Sequence, residues 1–248
     1  MAKVYLVGAG PGAPDLLTLR AARLLEAADI VFHDALVHPD TLALAKKARF
    51  VDVGKRYGKV STEQRFINRA LIEAAQSHQT VVRLKGGDPM LFGRAQEELD
   101  ALREAGIEVE VVPGITAALA AASTLQVSLT RRGIARTVTF LTPRVGKDET
   151  SSEWLPAAIG ADSVVLYMAA GASQAIAREL VTGGKDSQTP VALVESATLP
   201  EEKQLFTTLE TLAAEAMPRA SGPVVMCVGE VFRDRSSVAE LLERCRTG

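Results

Sequence analysis

Short apolar runs alternate with polar stretches of helical periodicity along the first 112 residues of the chain. Such runs, bounded by Gly, Pro and charged residues, are typical of buried strands. The segments between them carry apolar residues at three- and four-residue spacing, which predicts helices. Five strands alternating with four helices predict a parallel α/β sheet with right-handed crossovers. The predicted strands are Lys3–Val7, Asp29–Phe32, Phe50–Val53, Val81–Leu84 and Glu108–Val112, and the clearest helices between them are Leu16–Ala28 with Asp15 as N-cap, Ser61–Ser77 and Phe92–Ala105. A further helix, Ala117–Thr124, is predicted after the fifth strand.

The second half of the chain repeats this alternation at shorter spacing. The shorter spacing predicts a mixed sheet, in which Gln204–Thr208 pairs with antiparallel neighbours. Pro113-Gly114 is a natural break between the halves. We therefore predict an N-terminal α/β domain over residues 1–114 and a C-terminal α/β domain over residues 115–248. The strands predicted in the second half are Thr137–Leu141, Ser163–Met168, Val191–Val194, Gln204–Thr208 and Val224–Val228, followed by a tail helix from Ser237.

The run Val81–Leu84 ends abruptly in the sequence Lys-Gly-Gly-Asp-Pro. In open α/β sheets, ligands bind at the carboxyl ends of the strands. Gly86 and Gly87 lack a Cβ, so backbone there can approach a ligand closely. Asp88 offers a carboxylate acceptor. The alternative is a tight connection in which Asp88 caps the following helix.

The loop after the first strand has the spacing of a dinucleotide fingerprint, G-x-G-x-x-A over Gly8–Ala13. That fingerprint requires a helix to begin within the glycines, so that free N–H groups meet a pyrophosphate. Pro11 and Pro14 remove two of those donors and exclude a helix across the span. The loop is therefore predicted to shape a pocket, with a purely structural turn as the alternative.

Two further strand ends carry charged residues. Asp34 follows the second strand, where it could be a cleft carboxylate or a turn residue. Lys55, Arg56 and Lys59 follow the third strand and form either a local positive patch or an ordinary solvated loop.

Composition narrows the class of protein. The 248 residues are 47% hydrophobic and carry a formal net charge of −2, so no global basic surface for nucleic acid is expected. No apolar run approaches the roughly 18 residues of a membrane span. The predicted first strand begins at Lys3, two residues after Met1, so no signal peptide is expected. Cys227 and Cys245 lack a CxxC partner, and a cytoplasmic location fits this usage. The three histidines show no ligand spacing, so no metal site is predicted.

Eight motifs together resemble the tetrapyrrole methylase family over nearly the whole chain. The resemblance implies a homodimeric, S-adenosylmethionine-dependent methyltransferase. Each subunit would have two α/β domains, with the cofactor in a cleft between them. The motifs are VYLVGAGPGAPDLLTL, DIVFHDALV, VGKR, VVRLKGGDPMLFGR, VVPGITAA, SLTRRG, VVLYM and PVALVE.

VGKR and the aspartate after the second strand resemble a member that methylates uroporphyrinogen III at C2 and C7. Its product is precorrin-2, formed by way of precorrin-1, with release of S-adenosylhomocysteine. Precorrin-2 would serve sirohaem, cobalamin or haem d1 biosynthesis, and the motifs do not choose among these. One alternative is a methylase of the same fold acting on a later precorrin. Another is a dinucleotide-binding reductase, or a non-catalytic binding module, using Gly8–Ala13.

The resemblance also implies roles for individual residues. Asp34 matches the position proposed as base and Lys55 the position proposed as acid. Arg94 and Glu97 would face the tetrapyrrole. Its eight carboxylates would need local cations, for which the candidates are Lys55, Arg56, Lys59, Arg94, Arg131 and Arg132, with an ordinary solvated surface as the alternative. The residues implied to line the cofactor are Pro11, Gly86, Gly87, Asp88, Leu91, Thr116, Ala117, Met168 and Ala197.

The chain departs from the family pattern at three places on the substrate side. Arg131 lies in a segment that usually contains a His. Pro143 and Arg144 stand where Gly and His are frequent. His33 precedes the aspartate where Tyr is common.

Overall fold

The computed structural model describes residues 3–54, 64–145, 153–169, 171–215 and 220–235. The chain divides into two compact units, Met1–Ala117 and Ala118–Gly248. The boundary predicted after Gly114 lies just before this division. The loop carrying Lys55, Arg56 and Lys59 and the predicted tail helix lie outside the described residues.

The N-terminal unit is built on one five-stranded sheet, and all of its strand pairs are parallel. Its order, β3-β2-β4-β1-β5, places the first and fourth strands at the centre. The predicted parallel α/β sheet is therefore confirmed. Its strands are β1 (Lys3–Gly8), β2 (Ile30–His33), β3 (Arg49–Asp52), β4 (Thr80–Lys85) and β5 (Glu108–Val112).

Four α-helices connect these strands, and two of them begin later than predicted. The first begins after Thr18, whose side chain accepts the Ala21 N–H, because Pro14–Leu16 forms a separate 3-10 turn instead of an Asp15-capped helix. The fourth cannot begin at Phe92, because Phe92 and Arg94 both have positive φ. The helices are α1 (Leu19–Ala27), α2 (Pro39–Leu42), α3 (Gln64–Ser77) and α4 (Ala95–Glu104).

The C-terminal unit is built on a mixed sheet in the order β6-β7-β10-β8-β9. Among the described strands of this unit, only the β6–β7 pair is parallel, and β9 pairs antiparallel with β8, as predicted. The helix α6 was not predicted from the sequence. The elements are α5 (Ala117–Leu125), β6 (Val138–Leu141), α6 (Trp154–Gly160), β7 (Ser163–Leu166), α7 (Ser173–Thr182), β8 (Pro190–Glu195), β9 (Lys203–Thr208), α8 (Leu209–Ala214) and β10 (Val224–Gly229).

Each unit has its own apolar core. Alternating strand residues of the N-terminal unit feed two clusters, one against α3 and α4 and the other against α1. In the C-terminal unit one large cluster lies beneath α7 and α8. Cys227 of β10, which is not part of this cluster, is also fully buried, and burial raises the pKa of its thiol to about 12. Within the described ranges, no helix has the length and apolar character that a membrane crossing requires.

Candidate active site

Two strand-end loops of the N-terminal unit are joined by backbone hydrogen bonds. Gly87 N donates to Gly10 O at 2.7 Å, and Gly10 N donates to Gly87 O at 3.2 Å. Ala9 N donates to Lys85 O at 2.7 Å. The N–H groups of Ala9 and Gly10 are therefore engaged within the protein, which argues against a pyrophosphate site at the G-x-G-x-x-A spacing.

A third loop, after β5, packs on the same two loops without any side chain between them. A Cβ placed on Gly8 would lie 2.6 Å from Gly114 Cα, and one placed on Gly114 would lie 2.3 Å from Gly87 O. No real side chain fits at such distances. The glycines therefore allow close approach of backbone to backbone, which the sequence analysis had considered only for a ligand.

Asp88 holds two of these loops in place. Its Oδ1 accepts Met90 N at 2.8 Å, and its Oδ2 accepts Gly114 N at 2.9 Å. Asp88 thus forms a local turn with Met90, but it does not cap the following helix, because α4 begins after Arg94, and the capping alternative is wrong. A carboxylate has about four acceptor sites, so Asp88 keeps capacity for a ligand.

Several residues implied to line the cofactor lie beside this junction. Pro11 follows the Gly10–Gly87 bridge, and Leu91 closes the turn by donating to Asp88 O at 3.3 Å. A Cβ on Gly87 would point towards Thr116, 3.8 Å from its Cα, and Gly87 has a φ of 68°. A Cβ at that distance would make only an ordinary contact, so it is the positive φ that favours glycine at this position.

The other two residues implied to line the cofactor lie in the C-terminal unit, where the backbone is strained. Met168, after β7, has a φ of 56° and is 46% exposed. Ala197, after β8, is buried between Ser196 and Thr198, which have φ values of 51° and 72°. Non-glycine residues at positive φ are uncommon and cluster at functional sites.

Asp34 lies at the carboxyl end of β2, at the same sheet edge as the glycine loop. Its N–H donates to Leu84 O at 3.3 Å, and the Gly86 Cα hydrogen faces Leu36 in the Asp34 loop. Its Oδ1 accepts Arg83 Nη2 at 2.6 Å. The Asp34 side chain is 29% exposed, whereas that of Arg83 is 3% exposed.

Arg83 belongs to a set of four charged side chains, Asp34, Arg83, Lys85 and Glu98, which we call the charge network. Glu98 accepts Arg83 Nε at 3.1 Å and Lys85 Nζ at 2.9 Å, and it is fully buried. Burial, with the charge of Arg83, lowers the pKa of Lys85, and Glu98 opposes this shift. Two cations and two carboxylates balance one another in the charge network, of which Asp34 alone is partly exposed.

The sequence analysis missed three members of the charge network. It treated Val81–Leu84 as an apolar run, although Arg83 lies inside it. Glu98 occupies the apolar stripe of α4, together with Leu99 and Leu102. A charged residue at a core position of a strand or helix is the signal that would have found them.

The two residues implied to face the tetrapyrrole form an exposed pair at the start of α4. Arg94 donates to both oxygens of Glu97, each at 2.7 Å. Their side chains are 57% and 48% exposed. Arg94 is therefore held in one direction without being buried.

A basic cavity of about 610 Å³ lies in the C-terminal unit, and no member of the charge network lines it. Arg131 in this cavity pairs with Asp234 at 2.8 Å. Arg136, which the sequence analysis did not single out, adds a third arginine. The lining residues are Thr130, Arg131, Arg132, Ala135 and Arg136.

His33 is one of the departures from the family pattern. Its ring contacts the backbone of Asp34, the candidate base. Its Nδ1 lies 3.3 Å from Asp34 O, and its ring meets Phe50 edge-on at 6.3 Å. Among the described residues, no three His, Cys, Asp or Glu side chains form a group that could hold a metal ion.

Two α/β units, one with a parallel and one with a mixed sheet, are the architecture of the tetrapyrrole methylases. The sequence profile of the family described as tetrapyrrole (corrin/porphyrin) methylases matches residues 3–213 of the chain. The chain therefore belongs to this family.

Particular members resemble the chain to different degrees. It is 44% identical to uroporphyrinogen-III C-methyltransferase of Pseudomonas aeruginosa, over 94% of this chain and 95% of that protein. Uroporphyrin-III C-methyl transferase of Thermus thermophilus, complexed with S-adenosylhomocysteine, is 41% identical with a TM-score of 0.82, over 94% of this chain and 99% of that one. A cobalt precorrin-4 methyltransferase has a similar TM-score of 0.79 but only 27% identity, over 93% of this chain and 95% of that one.

Proposed function

We propose that the protein transfers methyl groups from S-adenosylmethionine to C2 and C7 of uroporphyrinogen III, forming precorrin-2 and S-adenosylhomocysteine. The observation that carries the proposal is the junction of the loops after β1, β4 and β5, with Asp34 at the same sheet edge. The comparisons favour this substrate over a later precorrin, since identity falls from 44% to 27% between the two kinds of relative.

The cofactor site is proposed to use backbone groups more than side chains. Gly10 O and Gly87 O each accept one backbone hydrogen bond and can accept a second, and Asp88 retains acceptor capacity for hydroxyl or amino groups of the cofactor. Bound S-adenosylmethionine supplies an electrophilic methyl group on a sulfonium. The residues proposed to hold it are Pro11, Gly86, Gly87, Asp88, Leu91, Thr116, Ala117, Met168 and Ala197.

Asp34 is proposed to act as the base. When a pyrrole carbon takes the methyl group from the sulfonium, the macrocycle gains a positive charge, which it loses when a proton leaves the neighbouring meso carbon. Among the described residues, only Oδ1 of Asp34 has a partner, so Oδ2 is the oxygen available to accept that proton. Lys55, the acid implied by the family resemblance, lies outside the described residues and stays a prediction.

The substrate carries eight carboxylates, whereas the chain has a net charge of −2. Local cations must therefore hold it. Arg94, fixed by Glu97, and the arginines of the C-terminal cavity, Arg131, Arg132 and Arg136, are proposed for this role. Arginine suits it, because its planar fork matches a carboxylate.

Calorimetry tests the cofactor. We expect S-adenosylhomocysteine to bind the wild-type protein and NAD(P) not to bind. The variant Asp88→Ala should weaken S-adenosylhomocysteine binding by about tenfold, because one acceptor and two loop contacts are lost. Binding of NAD(P) without S-adenosylhomocysteine would instead identify a reductase. An unchanged affinity in Asp88→Ala would reject the role of that residue.

A substitution of the base tests the chemistry. Asp34→Ala should keep S-adenosylhomocysteine affinity within a few-fold and lower turnover about 100-fold or more, the range of general base catalysis. Glu73→Ala, at an exposed ion pair on α3, is the control and should change neither quantity. Unchanged turnover in Asp34→Ala would show that another group accepts the proton.

We further propose a homodimer located in the cytoplasm, without nucleic-acid or membrane partners. Exposed apolar side chains on the N-terminal unit, Leu36, Phe50 and Phe66 among them, offer contact area for a second copy. Light scattering should give twice the mass of one chain, and a monomer at micromolar concentration would contradict the dimer.

A further inference from the structure

We propose that Glu98 is a positioning residue, which holds Arg83 so that Arg83 fixes the carboxylate of Asp34 in the orientation needed for proton transfer. The inference rests on the proposed function, because Asp34 is the proposed base. Glu98 lies beneath the site and acts only through Arg83.

The Arg83 guanidinium spans two carboxylates and a carbonyl. Its Nε donates to Glu98 Oε1 at 3.1 Å, its Nη2 to Asp34 Oδ1 at 2.6 Å, and its Nη1 to Leu84 O at 3.1 Å. A planar group held at all three nitrogens has one orientation. The position of Asp34 Oδ1 is thereby tied to the position of Glu98.

Glu98 is itself held from two more directions. Its Oε1 also accepts Gln64 Nε2 at 3.0 Å, and its Oε2 accepts Lys85 Nζ at 2.9 Å. A Cβ on Gly93 would lie 3.1 Å from Lys85 Cε, so the glycine turn before α4 leaves room for the lysine. The anchor for Arg83 therefore comes from α3, β4 and α4 together.

Stability alone does not explain a glutamate at this position. Buried ion pairs can often be replaced by apolar residues of similar size without loss of stability. Solvent exposure falls from 29% at Asp34 to 3% at Arg83 and 0% at Glu98. The network thus reaches the surface at Asp34, where a substrate would meet it.

A double-mutant cycle on kcat tests the inference. Glu98→Gln keeps the size of the side chain and removes its charge. In the wild-type background, we expect it to lower kcat about tenfold, with KM values and S-adenosylhomocysteine affinity within about threefold. In the Asp34→Asn background, it should change kcat less than about twofold, because the group that it positions has already been lost.

Equal losses of kcat in the two backgrounds would mean that Glu98 has only a structural role, and they would overturn the inference. Glu73→Gln is the matched control, because Glu73 forms an exposed pair with Arg69. It should leave kcat unchanged in both backgrounds. If Glu98→Gln does not fold, Arg83→Lys serves in the same cycle, since a lysine keeps the charge but cannot reach both carboxylates.

NMR of the Arg83 Nε–H gives a readout that needs no catalysis. This proton should exchange slowly with water in the wild type and at least about tenfold faster in Glu98→Gln, because its acceptor is weakened. Equal exchange rates would reject the anchoring of Arg83. A wild type that makes no methylated product rejects the proposed function, whereas an active wild type with equal losses rejects this inference alone.

Discussion

The two units use the same kinds of layers but bury different polar groups. In the N-terminal unit, the charged side chains of Arg83, Lys85 and Glu98 are buried beneath the candidate site. In the described part of the C-terminal unit, the buried polar side chains are hydroxyls only. Those side chains belong to Ser163, Ser173, Thr189 and Ser196. Buried charge is costly, so its occurrence among the described residues of the N-terminal unit, and not among those of the other, supports the proposed positioning role of Glu98.

The units share one structural device, which makes this contrast sharper. Asp29 accepts the N–H groups of Gln79 and Thr80 at the start of β4. Asp162 accepts those of Arg136 and Thr137 near the start of β6. Each carboxylate fixes the amino end of a neighbouring strand. The units are therefore alike at the amino ends of these strands, and the difference between them is the buried charge of the N-terminal unit.

The largest expected effect comes from removing the central carboxylate of the charge network. Glu98→Ala leaves Arg83 and Lys85 buried without their shared partner, and the free energy of unfolding should fall by about 3–5 kcal/mol. Hydrogen exchange of the β4 amides measures this fall. The control Glu73→Ala should change it by less than about 0.5 kcal/mol, and an equal effect of the two variants would remove the contrast between buried and exposed charge.

A somewhat smaller effect is expected where the loops cross. Gly114→Ala places a methyl group 2.3 Å from Gly87 O, so the backbone must move, at a cost of about 1–3 kcal/mol. The S-adenosylhomocysteine affinity should fall with it. Gly160→Ala in α6 meets no atom within 4 Å and should be neutral or slightly stabilising. Normal cofactor binding in Gly114→Ala would separate the loop junction from the cofactor site.

A buried hydroxyl of the C-terminal unit should matter less. Ser163 Oγ donates to Leu129 O at 2.8 Å and is fully buried. Ser163→Ala should lower the free energy of unfolding by about 1 kcal/mol. Urea unfolding followed by fluorescence of Trp154, the single tryptophan, measures it. A loss as large as that of Glu98→Ala would show that the two interiors are equally sensitive.

The smallest effect is a dependence on pH in the C-terminal unit. Hydrogen bonds from Ser221 and Gly222 lower the pKa of Glu195 below its ordinary value of 4.5. The lowered pKa adds stability that is fully present above pH 4.5 and is lost as the pH falls through the folded-state value. The free energy of unfolding, measured with urea, should therefore be higher for the wild type than for Glu195→Gln above pH 4.5, and this difference should shrink as the pH falls below 4.5. A constant difference across this range would contradict the assignment.

The sequence predicted the parallel and mixed sheets because apolar runs and their spacing determine which strands form. The same patterns predicted the first residues of the helices less accurately than they predicted the strands. Phe92 and Arg94 have positive φ, which arises from packing of the turn and leaves no local signature in non-glycine residues. The helix after Pro14 begins late because a 3-10 turn intervenes.

The site was only partly predictable, for a different physical reason. Asp34 and Asp88 stand at strand ends, where position alone suggests a ligand. Arg83 and Glu98 are separated by 15 positions along the chain and pair only once β4 and α4 are packed. Periodicity reports which face of an element is buried, whereas it does not report which buried charges will meet.

The most direct test of the account is the product that the wild-type protein forms from uroporphyrinogen III and S-adenosylmethionine. Mass spectrometry should find a product that carries two added methyl groups, at C2 and C7, with S-adenosylhomocysteine released in proportion. Tight binding of S-adenosylhomocysteine with no methylated uroporphyrinogen III would contradict the proposed substrate and indicate a methylase that acts on a later precorrin.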